Sequence, residues 1–160
     1  MMLSIENLNA YYGQAHVLKD VSINVNKGEV VVMLGPNGHG KSTLLKSLCG
    51  MVDKKQGKIS YKDQDIIKFS SEKIVNLGIT YIAENRELFP YMSVMENLKL
   101  GAYSKNARKY EKENLEKVFT LFPRLAQRKK QYASTMSGGE AKMLAIARGL
   151  MSNADFLAID

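Results

Sequence analysis

Residues 35–43, which read GPNGHGKST, constrain the fold of this chain more than any other stretch. They fit G-x-x-x-x-G-K-[ST], the pattern of a loop that binds phosphate groups. Its glycines let several backbone N–H groups point at one anion, and the helix that follows adds the positive end of its dipole. We expect Lys41 to contact the β- and γ-phosphates, and the Ser42 hydroxyl to bind Mg²⁺, a hard cation that prefers oxygen. The candidate phosphate-binding residues are Gly35, Pro36, Asn37, Gly38, His39, Gly40, Lys41, Ser42 and Thr43.

The residues on either side of this loop predict a strand, the loop and a helix in that order. Residues 30–34 (VVVML) are entirely apolar, which is typical of a strand buried on both faces. After the loop, Leu44 and Leu48 recur at helical spacing, and Gly50 closes the helix. This context favours a phosphate-binding loop in an α/β fold over an ordinary glycine-rich turn.

Alternating apolar residues predict several strands in the N-terminal part of the chain. Residues 3–8 and 58–62 are expected to form strands, and residues 21–25 alternate as a half-buried strand does. Further on, Ser93 and Glu96 form a capping box that predicts a helix start, and Pro123 ends a second amphipathic helix. The sequence therefore predicts an α-helical insertion after the β-rich part.

Another capping box, Ser137 with Glu140, predicts the start of a long helix. The box does not explain Gly138 and Gly139, since each glycine in a helix costs about 1 kcal/mol relative to alanine. We expect a ligand to approach their backbone N–H groups closely. The apolar residues 156–159 predict a strand that leads to Asp160, a carboxylate that could hold Mg²⁺ through water.

The net charge, the cysteine count and the length of the apolar runs limit the partners and the cell compartment that can be expected. The net charge is +7, but the lysines and arginines are spread along the chain, so no nucleic-acid partner is expected. Cys49 is the only cysteine, which excludes an intramolecular disulfide and suits a reducing compartment. No apolar run approaches the ~18–20 residues that span a bilayer, so a membrane role would need another chain.

Taken together, these stretches resemble the ATPase subunit of ABC transporters along the whole chain. The resemblance implies an α/β fold with a phosphate-loop (RecA-like) core, an N-terminal antiparallel β subdomain and an α-helical insertion. From the residues alone, packing in the core or on the surface is the better interpretation of Tyr12, but Tyr12 stands where that family has its adenine-stacking aromatic, with Val17 near the base. Glu84 falls where the family usually has a Gln that faces the transmembrane partner, and it is a possible water contact and metal ligand. The signature is Ser137, Gly138, Gly139 and Glu140, and the metal residues are Ser42, Glu84 and Asp160. Residues 83–90 and 96–98 look like the branched-chain amino-acid importer group.

The resemblance implies a function, its cofactors and its partners. ATP and Mg²⁺ would bind between two subunits, in a homodimer or a heterodimer with another ABC ATPase subunit. Each signature would cap the partner's γ-phosphate, and the cycle would drive transmembrane permease subunits to import solute, with branched-chain amino acids as the expected cargo. The chain would be cytoplasmic and peripheral on the inner face of the plasma membrane. As one ABC-type domain, it would comprise the β and phosphate-loop core (1–92), the helical insertion (93–136) and the signature helix with the Mg strand (137–160).

The family's catalytic Glu is expected just beyond Asp160, so the resemblance implies a C-terminally truncated subunit with an incomplete sheet. On this interpretation these 160 residues alone are not expected to hydrolyse ATP well, and no catalytic residue is assigned with certainty. Two other hypotheses remain open. One is a nucleotide-binding interaction module without turnover, and the other is a soluble ABC ATPase outside transport.

Overall fold

The computed structural model describes residues 1–85 and 87–160, which divide into two units. The first unit comprises Met1–Val75 and Asp160, and the second comprises Asn76–Ile159.

The first unit contains a four-stranded antiparallel sheet in the order β2-β1-β3-β4. Its strands are β1 (Leu3–Tyr12), β2 (Ala15–Val25), β3 (Lys54–Tyr61) and β4 (Gln64–Asp65), and its helices are α1 (Lys41–Leu48) and α2 (Ser71–Asn76), which ends one residue into the second unit. The predicted antiparallel β subdomain is therefore confirmed. Strand β1, predicted at residues 3–8, extends to Tyr12. Asn7, at φ 47°, interrupts the regular pairing, and the pairing with β2 and β3 resumes after it. The core of this unit is formed by the buried side chains of Leu3, Ile5, Leu8, Leu18, Val25, Leu44, Leu48, Ile59, Tyr61 and Ile66.

The prediction of a buried strand at residues 30–34 is wrong. Val30, Val32 and Leu34 are 88%, 72% and 90% exposed, and neither sheet described in the chain includes this segment. The composition was right for a buried strand, but a strand also needs a hydrogen-bonded neighbour, and no described strand pairs with these residues. The phosphate loop and α1 nevertheless follow this segment as the sequence predicts.

The second unit is mainly helical. It contains α3 (Val94–Gly101), α4 (Lys105–Arg108), α5 (Glu111–Leu121), α6 (Pro123–Gln127), a 3-10 turn (Ala133–Thr135) and α7 (Gly138–Leu150). Its core is formed by Val94, Leu98, Ala102, Ala107, Val118, Leu125, Ala133, Leu144, Ala147 and Met151. The helical insertion is thus confirmed, and α7 packs on α3 in the same core.

A two-stranded parallel sheet completes the second unit. Strand β5 (Ile79–Ile82) pairs with β6 (Phe156–Ile159), with Ile79 opposite Phe156 and Ile82 opposite Ile159. Asp160 follows β6 directly, at the carboxyl end of this strand pair. Among the described residues, no helix is long and apolar enough to cross a bilayer.

Candidate nucleotide site

The phosphate loop turns tightly because two of its glycines have left-handed backbone angles. Gly38 has φ 81°, and Gly40, the N-cap of α1, has φ 87°. A Cβ added to Gly40 would lie 2.7 Å from Leu18 Cδ2 and 3.7 Å from Val17 Cγ1, so the loop packs against β2 at this point. Only glycine fits both the angle and the space at position 40.

The N-terminus of α1 suits an anion. No side chain caps it, and its first turn carries no acidic residue. The first N–H groups of a helix lack intrahelical acceptors, so they and the helix dipole favour a negative group here. The exposed His39 ring is directed back onto the loop, with Nδ1 3.2 Å from the Asn37 carbonyl.

Lys41 is folded over the loop. Its Nζ donates to the carbonyl oxygens of Gly35 and Pro36, both at 2.8 Å. These two acceptors are neutral, whereas phosphate oxygens are charged and form stronger hydrogen bonds with an ammonium group. The lysine is therefore held at the loop, where a bound phosphate could take over its hydrogen bonds.

Two of the three predicted metal residues lie together. The Ser42 hydroxyl donates to Asp160 Oδ1 at 2.7 Å, across 118 residues of sequence. A hydroxyl and a carboxylate fit Mg²⁺, which usually keeps several waters and takes few protein ligands beside substrate phosphates. Consistent with so small a ligand set, no group of three or more His, Cys, Asp or Glu side chains that could hold a metal is found in residues 1–85 and 87–160.

The third predicted metal residue, Glu84, lies in the second unit. It is exposed in the turn that follows β5. The neighbouring Arg86, part of the stretch that resembles the branched-chain importer group, lies outside the described residues.

The structure distinguishes Tyr12 from Tyr11, which the sequence alone did not. The Tyr11 ring stacks on His16 with centroids 4.3 Å apart, and Lys54 Nζ lies 4.8 Å from the Tyr11 centroid. Tyr12, the last residue of β1, is 48% exposed and pairs with Ala15, two residues before Val17. Tyr12 is thus the better candidate for stacking on a base.

The signature residues begin α7 as predicted. Ser137 Oγ accepts from the Glu140 backbone N–H, and Glu140 Oε2 accepts from the Ser137 N–H at 3.0 Å, which completes the capping box. Ser137, Gly138 and Gly139 are exposed, so another molecule can reach their backbone.

Packing within the chain does not explain Gly139. A Cβ added there would meet no described atom within 4 Å, whereas a Cβ on Gly149 of the same helix would collide with the Ile82 side chain. Gly149 is therefore needed for packing, whereas the described atoms give no packing reason for a glycine at position 139.

Arg128 is a residue of this site that the sequence did not reveal. Its Nη1 lies 2.9 Å from Glu140 Oε1, and the Glu140 side chain is only 7% exposed. Hydrogen bonds from the Ser137 backbone and side chain lower the pKa of Glu140, and the positive charges of Arg128 and Arg124 add to this effect. Glu140 is therefore a buried, paired carboxylate that fixes the helix start. Arg128 has no local signal in the sequence, because its partner Glu140 lies beyond the 3-10 turn, in α7.

The first unit thus carries a phosphate loop beside a hydroxyl–carboxylate pair, and the second unit carries a glycine-rich helix start. The sequence model of the family described as ABC transporter matches residues 18–160. The high-affinity branched-chain amino acid transport ATP-binding protein BraG of Pseudomonas aeruginosa is 43% identical over 159 residues, which cover 99% of this chain and 68% of BraG. The chain belongs to the ABC transporter family, as an ATP-binding subunit.

Solved structures agree with this assignment. A nucleotide-free ATP-binding cassette from an ABC transporter superposes with a TM-score of 0.82 at 32% identity, over 99% of this chain and 68% of that chain. The ATP-binding cassette MJ0796, in a dimeric post-hydrolysis state bound to ADP and Pi, superposes with a TM-score of 0.79 at 25% identity, over 99% and 73%. These matches confirm the resemblance found in the sequence and the predicted fold class.

Proposed function

We propose that this chain binds ATP with Mg²⁺ and powers the import of branched-chain amino acids through transmembrane permease subunits. The observation that carries the proposal is the 2.7 Å hydrogen bond between Ser42 and Asp160 at the base of the phosphate loop. A serine hydroxyl and an aspartate in these positions are the magnesium-binding pair of phosphate-loop ATPases.

Different residues of the chain would bind different parts of the nucleotide. Lys41 would exchange the Gly35 and Pro36 carbonyls for phosphate oxygens, which bind its charge more strongly. The N–H groups at the start of α1 would bind the phosphates, and Tyr12 would stack on adenine. Bound Mg²⁺ would supply positive charge to neutralise the phosphate oxygens.

A second subunit would complete the site. The backbone at Gly138 and Gly139 is exposed, and a Cβ added to Gly139 would meet no described atom within 4 Å. These features support the proposal that the start of α7 caps the γ-phosphate held by a partner subunit, in a homodimer or a heterodimer. The solved structure of MJ0796, which is dimeric and bound to ADP and Pi, supports a dimer for this chain.

The proposed cargo and membrane partner rest on the relatives and on one exposed surface. BraG is by name a branched-chain amino acid transport protein, and it is 43% identical to this chain. Phe89 and Tyr91, in the loop before α3, are 49% and 87% exposed, and apolar aromatics at such exposure suit contact with another protein. We place the permease contact there, at the inner face of the plasma membrane. For hydrolysis, Glu84 is the described carboxylate that we propose for contact with the attacking water.

Nucleotide titration tests the site directly. Lys41→Ala removes the cation at the phosphates and should weaken Mg–ATP binding by at least about tenfold, since a charge-assisted hydrogen bond contributes roughly 1.5 kcal/mol or more. Lys46→Ala, at the other end of α1, is the matched control and should bind as the parent does. Equal affinity in Lys41→Ala and Lys46→Ala would refute the site.

Binding to a permease tests the cargo without requiring hydrolysis. Membranes that carry the permease of a branched-chain amino-acid importer, without its own ATPase, should bind this chain in the presence of Mg–ATP, whereas membranes that carry an unrelated permease should not. If the chain binds ATP in vitro but binds both kinds of membrane equally or neither, the cargo assignment is wrong and the ATP-binding assignment stands.

A further inference from the structure

The loop from Glu87 to Tyr91 is held in a strained conformation. Glu87 has φ 39°, in the left-handed region that residues other than glycine rarely adopt, and its N–H donates to the Asn85 carbonyl at 2.7 Å. Such a conformation persists only where the surrounding contacts impose it. The contacts that impose it here come from identifiable residues of the second unit.

One contact comes from the last turn of α7. Arg148 Nη1 donates to the Glu87 carbonyl at 2.8 Å, and the guanidinium lies 5.8 Å from the centroid of the Phe89 ring. Arg148 is half-buried, and burial lowers the pKa of its guanidinium while the Glu87 carboxylate raises it. One side chain thus fixes both the strained residue and the first exposed aromatic of the loop.

Another set of contacts comes from the turn that leads into α7. The Ser134 N–H donates to the Pro90 carbonyl at 2.9 Å, and the Ala133 N–H donates to the Met92 carbonyl at 3.0 Å. Ser134 is three residues before Ser137, the N-cap of α7. The loop is therefore hydrogen-bonded both to the last turn of α7 and to the turn that precedes α7. The first residue of α7 and Arg148 are about 15 Å apart along the helix axis.

The far side of the loop is anchored to a different helix. Asn97 of α3 is fully buried, accepts from the Phe89 N–H and donates to the carbonyls of Phe89, Met92 and Ser93 at 3.0–3.2 Å. Because α3 fixes one side of the loop and α7 the other, a shift of α7 relative to α3 has to change the loop at Glu87 and Phe89.

From these contacts we propose that Arg148 is a positioning residue that couples the signature helix to the exposed Phe89–Tyr91 surface. Nucleotide bound at Gly138 and Gly139 displaces α7, and Arg148 transmits the displacement to Glu87 and so to the aromatics that face the partner. The coupling rests on the proposed function, while the clamping of the loop by Arg148 stands on the contacts alone.

Hydrogen exchange of the loop amides tests both parts on the full chain. Arg148→Met keeps the apolar stem and removes the guanidinium, so exchange at residues 87–92 should accelerate by about tenfold or more. Arg108 offers a matched control, because its Nη2 donates to the Tyr103 carbonyl at 3.4 Å and its guanidinium lies 5.7 Å from the Tyr103 ring centroid. Arg108→Met removes the same chemistry from α4 and should leave exchange at residues 87–92 unchanged.

The second arm adds Mg–ATP. Exchange at residues 87–92 should change on nucleotide binding in the parent and in Arg108→Met, but not in Arg148→Met. If Arg148→Met fails to fold, Arg148→Lys is the second variant. Lysine keeps the charge and the stem but cannot both donate to the Glu87 carbonyl and stack flat on Phe89. Exchange at residues 87–92 should therefore change in the same direction as in Arg148→Met, but by less.

Each outcome decides one part. Unchanged loop exchange in the Arg148 variants without nucleotide would overturn the clamp. If labelled ATP binds but the loop does not respond, or responds equally in Arg148→Met, the coupling is wrong and the proposed function survives. If labelled ATP binds to no variant, the proposed function fails and the coupling fails with it, while the first arm still decides the clamp.

Discussion

The Ser42 hydroxyl donates to Asp160 Oδ1 at 2.7 Å, although 118 residues separate the two in sequence. Ser42 lies in the first turn of α1 and Asp160 follows β6, so the contact depends on how the chain folds and not on local pattern. We propose this oxygen pair as a Mg²⁺ site, and on that proposal nucleotide binding should depend on Mg²⁺.

Asp160→Asn is expected to reduce the Mg²⁺ dependence of ATP binding. Loss of the carboxylate should weaken the apparent affinity for Mg²⁺ by about 10–100-fold, as is usual for residues that support a bound metal through hydrogen bonds. Binding of ATP without Mg²⁺ should be unchanged or slightly stronger, because a negative charge near the phosphates is gone. Fluorescent-nucleotide titrations at several Mg²⁺ concentrations measure both quantities. Asp63→Asn, in the exposed turn between β3 and β4, controls for the charge change, and an Asp160→Asn curve that coincides with it would contradict the assignment.

Tyr12→Ala is expected to weaken ATP binding, whereas Tyr12→Phe and Tyr12→Trp should retain most of the affinity, because the ring face makes the contact. Stacking on a base contributes roughly 1–3 kcal/mol, or about fivefold to more than a hundredfold in affinity. Tyr11→Ala is the matched control, since Tyr11 is already engaged with His16 and Lys54. A result in which Tyr11→Ala weakens binding more than Tyr12→Ala would assign the base to the opposite side of β1.

The sequence predicted the features that depend on residues only three or four positions apart. The capping boxes of Ser93 and Ser137 formed as expected, because each needs only a Glu three residues later. The phosphate loop likewise follows from its glycines. These features required no knowledge of the rest of the chain.

The parts that the sequence did not predict depend on distant partners. Arg128 and Arg148 look like ordinary surface cations until Glu140 and the Glu87 carbonyl are placed beside them. Asn97 gives no sign in the sequence that it is fully buried beneath a loop. Residues 30–34 mark the limit most clearly, since their composition is that of a buried strand and their exposure depends on whether another strand lies alongside.

Gly139→Ala is expected to stabilise the chain and impair nucleotide-dependent dimerisation. The added Cβ meets no described atom, so the free energy of unfolding should rise by about 0.4–1 kcal/mol through the lower entropy of the unfolded chain. The same Cβ would stand where a partner's nucleotide approaches the backbone. Gly149→Ala should instead destabilise by about 1–3 kcal/mol, because its Cβ collides with Ile82. Urea unfolding and sedimentation with Mg–ATP measure the two effects, and loss of stability in Gly139→Ala would show that position 139 has a packing role.

Glu140 is expected to make the stability of the helical unit sensitive to acid. Hydrogen bonds from Ser137 lower the pKa of Glu140, so the folded chain keeps this carboxylate charged at a lower pH than the unfolded chain does. The resulting stabilisation is present above the ordinary glutamate pKa and is lost as the pH falls through the lowered value. Glu140→Gln should therefore be less stable than the parent at neutral pH and approach it in acid, as measured by urea unfolding across pH. Glu116→Gln, at an exposed position of α5, controls for net charge, and a constant difference between Glu140→Gln and the parent at all pH values would contradict the argument.

The exposed residues 30–34 are expected to make the chain self-associate. Val30, Val32 and Leu34 alternate along the segment and are 88%, 72% and 90% exposed, and an apolar segment that pairs with no described strand is a template for a strand of another chain. Val32→Lys places a charge in the middle of this segment and should lower concentration-dependent light scattering, while the free energy of unfolding changes by no more than about 0.5 kcal/mol because the position is largely exposed. Leu121→Lys, at a 63% exposed position of α5, controls for added charge and should scatter as the parent does. If Val32→Lys scatters no less than Leu121→Lys, residues 30–34 do not drive the association.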